Sequence, residues 1–467
     1  MAHPATRAPL LPAPAVPLAW FALAHASLAS ALVVLIAAPT LPGGFFYHPK
    51  MVALTHFLTL GWLSGSILGA LYIVAPLALG CPMPGRRADW IAFASYAIGL
   101  AGMIAHFWIA EYSGMAWSAG MVIAAVGWVG WRVWRGLTGA RVPWAVALHV
   151  RLAFANFVAA ATLGIVIGLD RTSGLLTISP LLTTYAHVHL AALGWVGMMV
   201  VGVAYRLIPM MLPSAMPSGR ALVWSAVLLE VGLLVMAAAL VTGSPWLVAG
   251  AACIVAGFAS AALQLGRAAV DRRPRPPRLP AIDWSMWHVR GAAVWLVVAI
   301  VVGLLLSIGA TVDAWYAESL WLYGVAGLVG WLAQMVAAVQ GRLAPLYAWY
   351  RTLARRGGAP PQRSVHDLIS APLAAFVFAV WTAGVPVLAA GLAWAHAPAI
   401  RAAAALLLAG VLAGAWHEVV MLRRAGASGP PRAPAGARGK LSPWNASSPG
   451  SPTRPAARSS PPASHEC

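Results

Sequence analysis

The chain of 467 residues is 61% hydrophobic and only 9% charged, with a mean hydropathy of +0.79, a composition that excludes a water-soluble globular domain. Its formal charge of +19 is therefore read as membrane topology and attraction to anionic lipid, not as nucleic-acid binding. Three cysteines, Cys81, Cys253 and Cys467, supply neither a disulfide framework nor a CxxC metal site.

A short segment, 1–16, precedes the first apolar run, near 18–38. Only Arg7 stands upstream and the run is too long for a secretory signal, so it is predicted as the first membrane helix. Further runs fall near 52–78, 90–110, 116–134, 145–168, 183–211, 221–242, 246–266, 290–312, 320–341, 370–391 and 398–422. Each has about the 20 residues needed to cross a hydrocarbon core of ~30 Å, which makes twelve spans over 17–424. The second carries His56, the third ends near His106 in "MIAHFWIAEY", and "HVR" opens the fifth at 149–151. The sixth, "YAHVHLAALGWVGMMVVGVAYRLIP", opens on His187 and His189; the seventh holds Glu230 mid-span; "HVR" returns at 288–290 in the ninth. Beyond about 425 the chain is rich in Pro, Ser, Gly, Ala and Arg, and 425–467 is predicted to be a disordered tail.

All Lys and Arg except Lys50, Arg171 and Arg401 fall on the side shared by the N-terminus, the even-numbered loops and the C-terminus. Basic residues in short loops stay cytoplasmic, so both termini are predicted inside a bacterial-type inner membrane, with Glu111, Asp170, Asp313 and Glu318 outside. Arg206 and Arg342 read as snorkelling anchors, and His149 and His288 as packing or headgroup contacts at the inner interface.

Three segments align with one another: "THFLTLGWLSGSILGALYIVAP" (55–76), "VHLAALGWVGMMVVGVAYRLIP" (188–209) and "GVAGLVGWLAQMVAAVQGRLAP" (324–345). His56 falls on His189, Trp62 on Trp195 and Trp331, and Pro76 on Pro209 and Pro345. A looser "HAS" at 25–27 parallels the two "HVR" signatures. The predicted fold is thus all-α, twelve transmembrane helices in three four-helix pseudo-threefold repeats, about 17–142, 143–280 and 281–424, around helices two, six and ten.

The alignment puts His56 and His189 at equal depth on adjacent central helices, where they can clamp one planar ligand. His187, two residues from His189, projects about 200° away from it. Ionisable groups at membrane depth are functional candidates, and paired imidazoles hold a low-spin haem. His106 is a further ligand or partner candidate, and Glu230 a candidate for a proton path. With no CxxCH, the haem expected is haem b.

The motifs of helices two and six resemble the haem-ligand helices of subunit I of the haem-copper oxidase superfamily, in its cbb3-type and nitric-oxide-reductase-type branches; the NnrS-like group of twelve-helix haem proteins is another resemblance. It implies twelve helices in three arcs, with His56 and one of His187 and His189 holding a low-spin haem, and the other histidine an axial candidate at a second site. The family's copper ligands, a histidine on helix six followed by a His-His pair on helix seven, have no counterpart here: helix seven, "ALVWSAVLLEVGLLVMAAAL", contains no histidine. Tightly bound copper and copper-dependent oxidase turnover are therefore not expected. Two functions remain: a haem protein moving electrons or handling O2 or NO, with a quinol or periplasmic electron donor, and a non-haem transporter or scaffold with a histidine-lined cavity.

Overall fold

The computed structural model describes residues 11–43, 47–174, 176, 179–274, 280, 282–309 and 315–427. Among them, twelve helices are long and apolar enough to span a bilayer, and the chain is a polytopic membrane protein. They are α1 Val16–Ala37, α2 Pro49–Ala78, α3 Arg87–Trp108, α4 Ser113–Thr138, α5 Trp144–Ser173, α6 Pro180–Met211, α7 Arg220–Thr242, α8 Leu247–Val270, α9 Trp284–Ser307, α10 Tyr316–Arg355, α11 Ala371–Ala393 and α12 Ala397–Gly426. Expected and observed spans agree in number and order. The largest difference is α10, which continues to Arg355 where the apolar run ends near 341. Its last turns, "AWYRTLAR", are polar but helix-favouring, so the helix outlasts the hydrophobicity. Asp313 and the expected disordered tail, from residue 428 on, lie outside the described residues.

Helices α2, α6 and α10 form the centre, each touching the other two. Each departs from α-helical geometry at its middle: π-helical stretches run Phe57–Ser64, Leu190–Gly197 and Val325–Ala333. Widening to i→i+5 hydrogen bonds re-aims the side chains that follow, and such bulges gather at functional sites. Here they surround the Gly-Trp pairs. Trp62 Nε1 donates to the Ala333 carbonyl (3.3 Å) and Trp195 Nε1 to Ser64 Oγ (3.0 Å). Trp331 packs so closely on Gly197 that a Cβ there would stand 3.3 Å from the indole. Each tryptophan thus leans on a neighbouring central helix. Lipid tails are as apolar as these side chains, so close packing and interhelical hydrogen bonds, not exclusion from water, hold the centre together.

Around this centre, α3 pairs extensively with α4, α7 with α8, and α11 with α12. The outer helices α1, α5 and α9 pack on the central ones. A Cβ on Gly202 of α6 would meet His149 Cβ at 2.6 Å, and one on Gly69 of α2 would meet Trp20 Cβ at 2.8 Å. On α1 it is Trp20, and on α5 His149, that meets the glycine of the central helix. His149 is buried, with Nδ1 donating to the Ala145 carbonyl (2.8 Å) and Nε2 beside Ser225 Oγ (3.1 Å). The two arginines read as anchors have protein partners: Arg206 Nε donates to the carbonyl of Ala78 at the end of α2 (3.0 Å), and Arg342 pairs with Asp283 (3.3 Å).

Candidate functional site

A cavity of about 680 Å³ opens between the helices at the end where α2, α6 and α10 begin. Its walls are mainly apolar, among them Leu32, Phe107, Val196, Phe258 and Leu328, and His56, His187, His189 and Tyr323 face it. Arg171 is the one Lys or Arg of the described lining.

His56 lies one residue before the π-helical stretch of α2. Its Nδ1 is 2.7 Å from the carbonyl of Val52, one turn back. A carbonyl can only accept, so Nδ1 carries the proton and Nε2 presents a bare lone pair. His187 Nδ1 reaches across to the carbonyl of Ala160 on α5 (2.8 Å), which fixes the same tautomer. Gly164, one turn along α5, makes room for this ring: a Cβ there would stand 2.8 Å from His187 Cε1. Among the described residues nothing bonds Nε2 of either ring. A backbone acceptor on one nitrogen with the other left bare is the usual preparation of a metal-ligating histidine.

The two rings face each other, centres 6.5 Å apart and planes 22° from parallel. With nitrogen about 2.0 Å from a metal and about 1.1 Å from its own ring centre, imidazoles on opposite sides of one ion have centres about 6.2 Å apart. The observed centre-to-centre spacing is close to that value. Phe107 packs on the outer side of His56 (4.8 Å).

His189 stands elsewhere. Its Nδ1 donates to the Tyr185 carbonyl (2.7 Å), and its Nε2 accepts from the hydroxyl of Tyr323 on α10 (2.9 Å), with the rings 5.9 Å apart. The structure therefore pairs His56 with His187, not with His189 as the repeat alignment suggested. Alignment gives equal depth on each helix, but a ring of three helices turns equivalent faces toward successive neighbours. His56 looks toward α6, and its counterpart His189 looks onward to α10.

His106, at the end of α3, is absent from the described cavity lining. Its Nδ1 lies 2.7 Å from Glu111 Oε2 in the α3–α4 turn, while Phe107 turns inward. Glu111 is half-buried, and the backbone N–H groups of Gly114 (2.9 Å) and Ser113 (2.8 Å) hold its carboxyl below the ordinary glutamate range. Glu230 accepts from Asn156 Nδ2 of α5 (2.7 Å) and reaches neither described cavity. Tyr323, Gly164 and Phe107 were not among the expected site residues. Only Tyr323 had a signal, since it stands one residue before the third aligned segment, as His187 stands one residue before the second.

Among the described residues no three His, Cys, Asp or Glu side chains gather as an ion cage. His56 and His187 together offer two nitrogen ligands, which suits a cofactor that brings its own equatorial donors. In comparisons with known proteins, the chain matches no family model and no curated protein.

Proposed function

We propose that the chain is a haem-binding membrane protein of electron transfer, with His56 and His187 as the two axial ligands of a haem b in the cavity among α2, α5 and α6. The observation that carries this reading is the facing pair of imidazoles, 6.5 Å apart with matching tautomers and bare Nε2 atoms. A cavity of about 680 Å³ falls within the roughly 300–1,000 Å³ usual for small-molecule and cofactor sites. Held by His56 and His187, the iron would have both of its open positions filled. That favours electron transfer over binding of O2 or NO, which requires one position to be vacant. Val52 and Ala160, as acceptors, fix both ring orientations and make the imidazoles better donors. Arg171, the single guanidinium in the described lining, would sit with the acidic edge of the cofactor.

We extend the reading to three repeats related by a threefold axis along the membrane normal. The π-helical stretches at matching places in α2, α6 and α10 support it, as does the cyclic leaning of the three tryptophans. On the distribution of basic residues, the end carrying Arg86, Arg220, Arg272 and Arg355 faces the cytoplasm and the histidine cavity opens on the opposite side. A quinol or an electron-transfer protein on that side would be the donor. The resemblance to haem-copper oxidases then concerns the low-spin haem and the helix arrangement, without the copper chemistry.

The test is a dithionite-reduced minus oxidised spectrum of the protein purified from haem-replete cells. A reduced alpha band and acid-acetone-extractable pigment are expected. A colourless preparation would overturn the haem reading and leave the transporter with a histidine-lined cavity in its place.

A further inference from the structure

A second cavity, of about 700 Å³, lies at the opposite end of the bundle among α1, α9, α10, α11 and α12. Its deep wall is Trp62 stacked with Trp381 (6.4 Å), and Trp381 also lines the histidine cavity. Its polar groups lie in two layers.

At the rim stand Arg272, Arg273, Arg290 and Arg342 against one carboxylate, Asp283. Asp283 is paired with Arg342, so three guanidinium groups remain to meet an anion. Arg290 is held over the ring of Trp287 at 4.7 Å. The backbone N–H of Arg273 donates to the Pro213 carbonyl (2.7 Å), fixing that loop over the cavity.

Deeper lie His25, His417 and Glu418. His25 Nδ1 donates to the Phe21 carbonyl (2.8 Å), so its Nε2 is an acceptor. His417 Nε2 accepts from the Ser370 N–H (2.8 Å), so its Nδ1 is a donor. With the Glu418 carboxyl they form a set of acceptors and a donor suited to hydroxyl groups, beneath a basic rim suited to phosphate.

A third observation concerns α9. Only 11% of its most apolar stretch is buried, the smallest share of the twelve helices. Trp287, Val294, Val297, Val301 and Leu305 line one exposed stripe that begins at the cavity lip. An acyl chain whose head enters the cavity would lie along this stripe.

We propose that this cavity binds an anionic phospholipid with a hydroxylated head group, the chemistry of phosphatidylglycerol. The phosphate meets Arg272, Arg273 and Arg290, the head-group hydroxyls meet His25, His417 and Glu418, and the tails follow α9. Basic pockets between transmembrane helices select lipid head groups in this way. The inference is independent of the haem reading, since none of these residues touches His56 or His187.

The full-length protein, reconstituted in phosphatidylcholine nanodiscs containing a minor fraction of phosphatidylglycerol or of phosphatidic acid, is released into mild detergent for native mass spectrometry. One retained phosphatidylglycerol per chain is expected, in preference to phosphatidic acid and to phosphatidylcholine. The Arg273→Gln/Arg290→Gln variant should retain on the order of tenfold less, while Arg220→Gln, outside the described lining, should retain it normally. Glu418→Ala should lose the preference for phosphatidylglycerol over phosphatidic acid. Equal retention of phosphatidylcholine by the wild-type protein overturns the proposal without recourse to any variant, and equal retention of phosphatidic acid overturns the role of the deeper layer. Soluble glycerol 3-phosphate is added in a separate arm. If it displaces the lipid at millimolar concentration, the site stands and a free phosphate ester is its ligand; if it does not, the lipid is.

Discussion

His56 and His187 face each other at 6.5 Å and 22°, and His189 and Tyr323 repeat that relationship between α6 and α10 at 5.9 Å and 27°. Under the proposed repeat His56 corresponds to His189 and His187 to Tyr323, so one contact has been used twice with different chemistry. In the first pair both rings keep a bare Nε2. In the second a phenol hydroxyl fills that place. His56→Ala and His187→Ala should each abolish a low-spin haem spectrum while the protein still inserts, and His189→Ala should keep it. Loss of the spectrum in His189→Ala with retention in His187→Ala would restore the pairing that the sequence alignment favours.

Gly164 offers a test that leaves both histidines in place. A side chain at this position collides with His187 Cε1 and must push the ring off the Ala160 carbonyl. Gly164→Val is therefore expected to lower haem occupancy as severely as His187→Ala, with near-normal yield of folded protein. Gly266, which has open space around it, provides the control: Gly266→Val should leave the spectrum unchanged.

Much of this architecture was legible from composition and period. Twelve apolar runs produced twelve helices, and the Gly-Trp alignment located the three central ones, because both signals are written in residue type. Partner choice was not legible. Whether His56 meets His187 or His189 depends on which face of α6 turns toward α2, and the π-helical stretches that begin at Phe57 and Leu190 have no counterpart in hydrophobic periodicity. His106 shows the same limit at the scale of one residue: it and Phe107 are about 100° apart on α3, and the aromatic ring took the inward direction. The second cavity was invisible for another reason, since Arg272, Arg290 and Glu418 come from distant parts of the chain and converge only in the folded bundle.

Tyr323 donates to a half-buried histidine on a neighbouring helix, and its removal leaves His189 Nε2 with an unfilled acceptor. Interhelical hydrogen bonds in membranes are worth about 0.6 kcal/mol on average, and up to about 1.7. Tyr323→Phe should destabilise the protein by about that much in a denaturant titration. The haem spectrum should be retained. A double cycle with His189→Ala should return a coupling of similar size; additive losses would show that the two side chains do not interact.

The α3–α4 turn should respond to acid. Glu111 has its carboxyl held below the ordinary value of 4.5, first by the Gly114 N–H and then by that of Ser113. A depressed carboxylate contributes its stabilisation above its ordinary pKa, and this is lost as the pH falls through the lowered one. Amide exchange at Ser113 and Gly114 should therefore be slow above the ordinary glutamate value relative to Glu111→Gln, and the difference should shrink as the pH falls below it. A difference that stays constant as the pH falls through the carboxylate range would mean that these amides do not hold the charged carboxyl.

The pairing of Asp89 with Arg132 predicts the largest loss of stability from a single substitution away from the cavities. Asp89 is fully buried near the start of α3 and accepts from Arg132 Nη1 (2.5 Å), Trp128 Nε1 (3.0 Å) and the backbone N–H of Arg86 (2.6 Å). These contacts tie α3 to α4 and close the capping box at the helix start. A buried carboxylate deprived of its cation is costly, because it must either remain charged where water cannot reach it or take up a proton. Arg132→Leu should therefore cost about 3–5 kcal/mol, measured as a loss of unfolding free energy in mild detergent. Asp89→Asn keeps one acceptor oxygen, enough for Trp128 or for the Arg86 N–H but not for both, and strands the guanidinium of Arg132, whose long side chain can reach toward the interface. Its loss should be the smaller of the two. The double variant Asp89→Asn/Arg132→Leu removes both charges and should recover part of the loss seen in Arg132→Leu. A double variant no more stable than Arg132→Leu would show that the stranded charge is not what the single substitution costs, and that Arg132 acts chiefly through its packing.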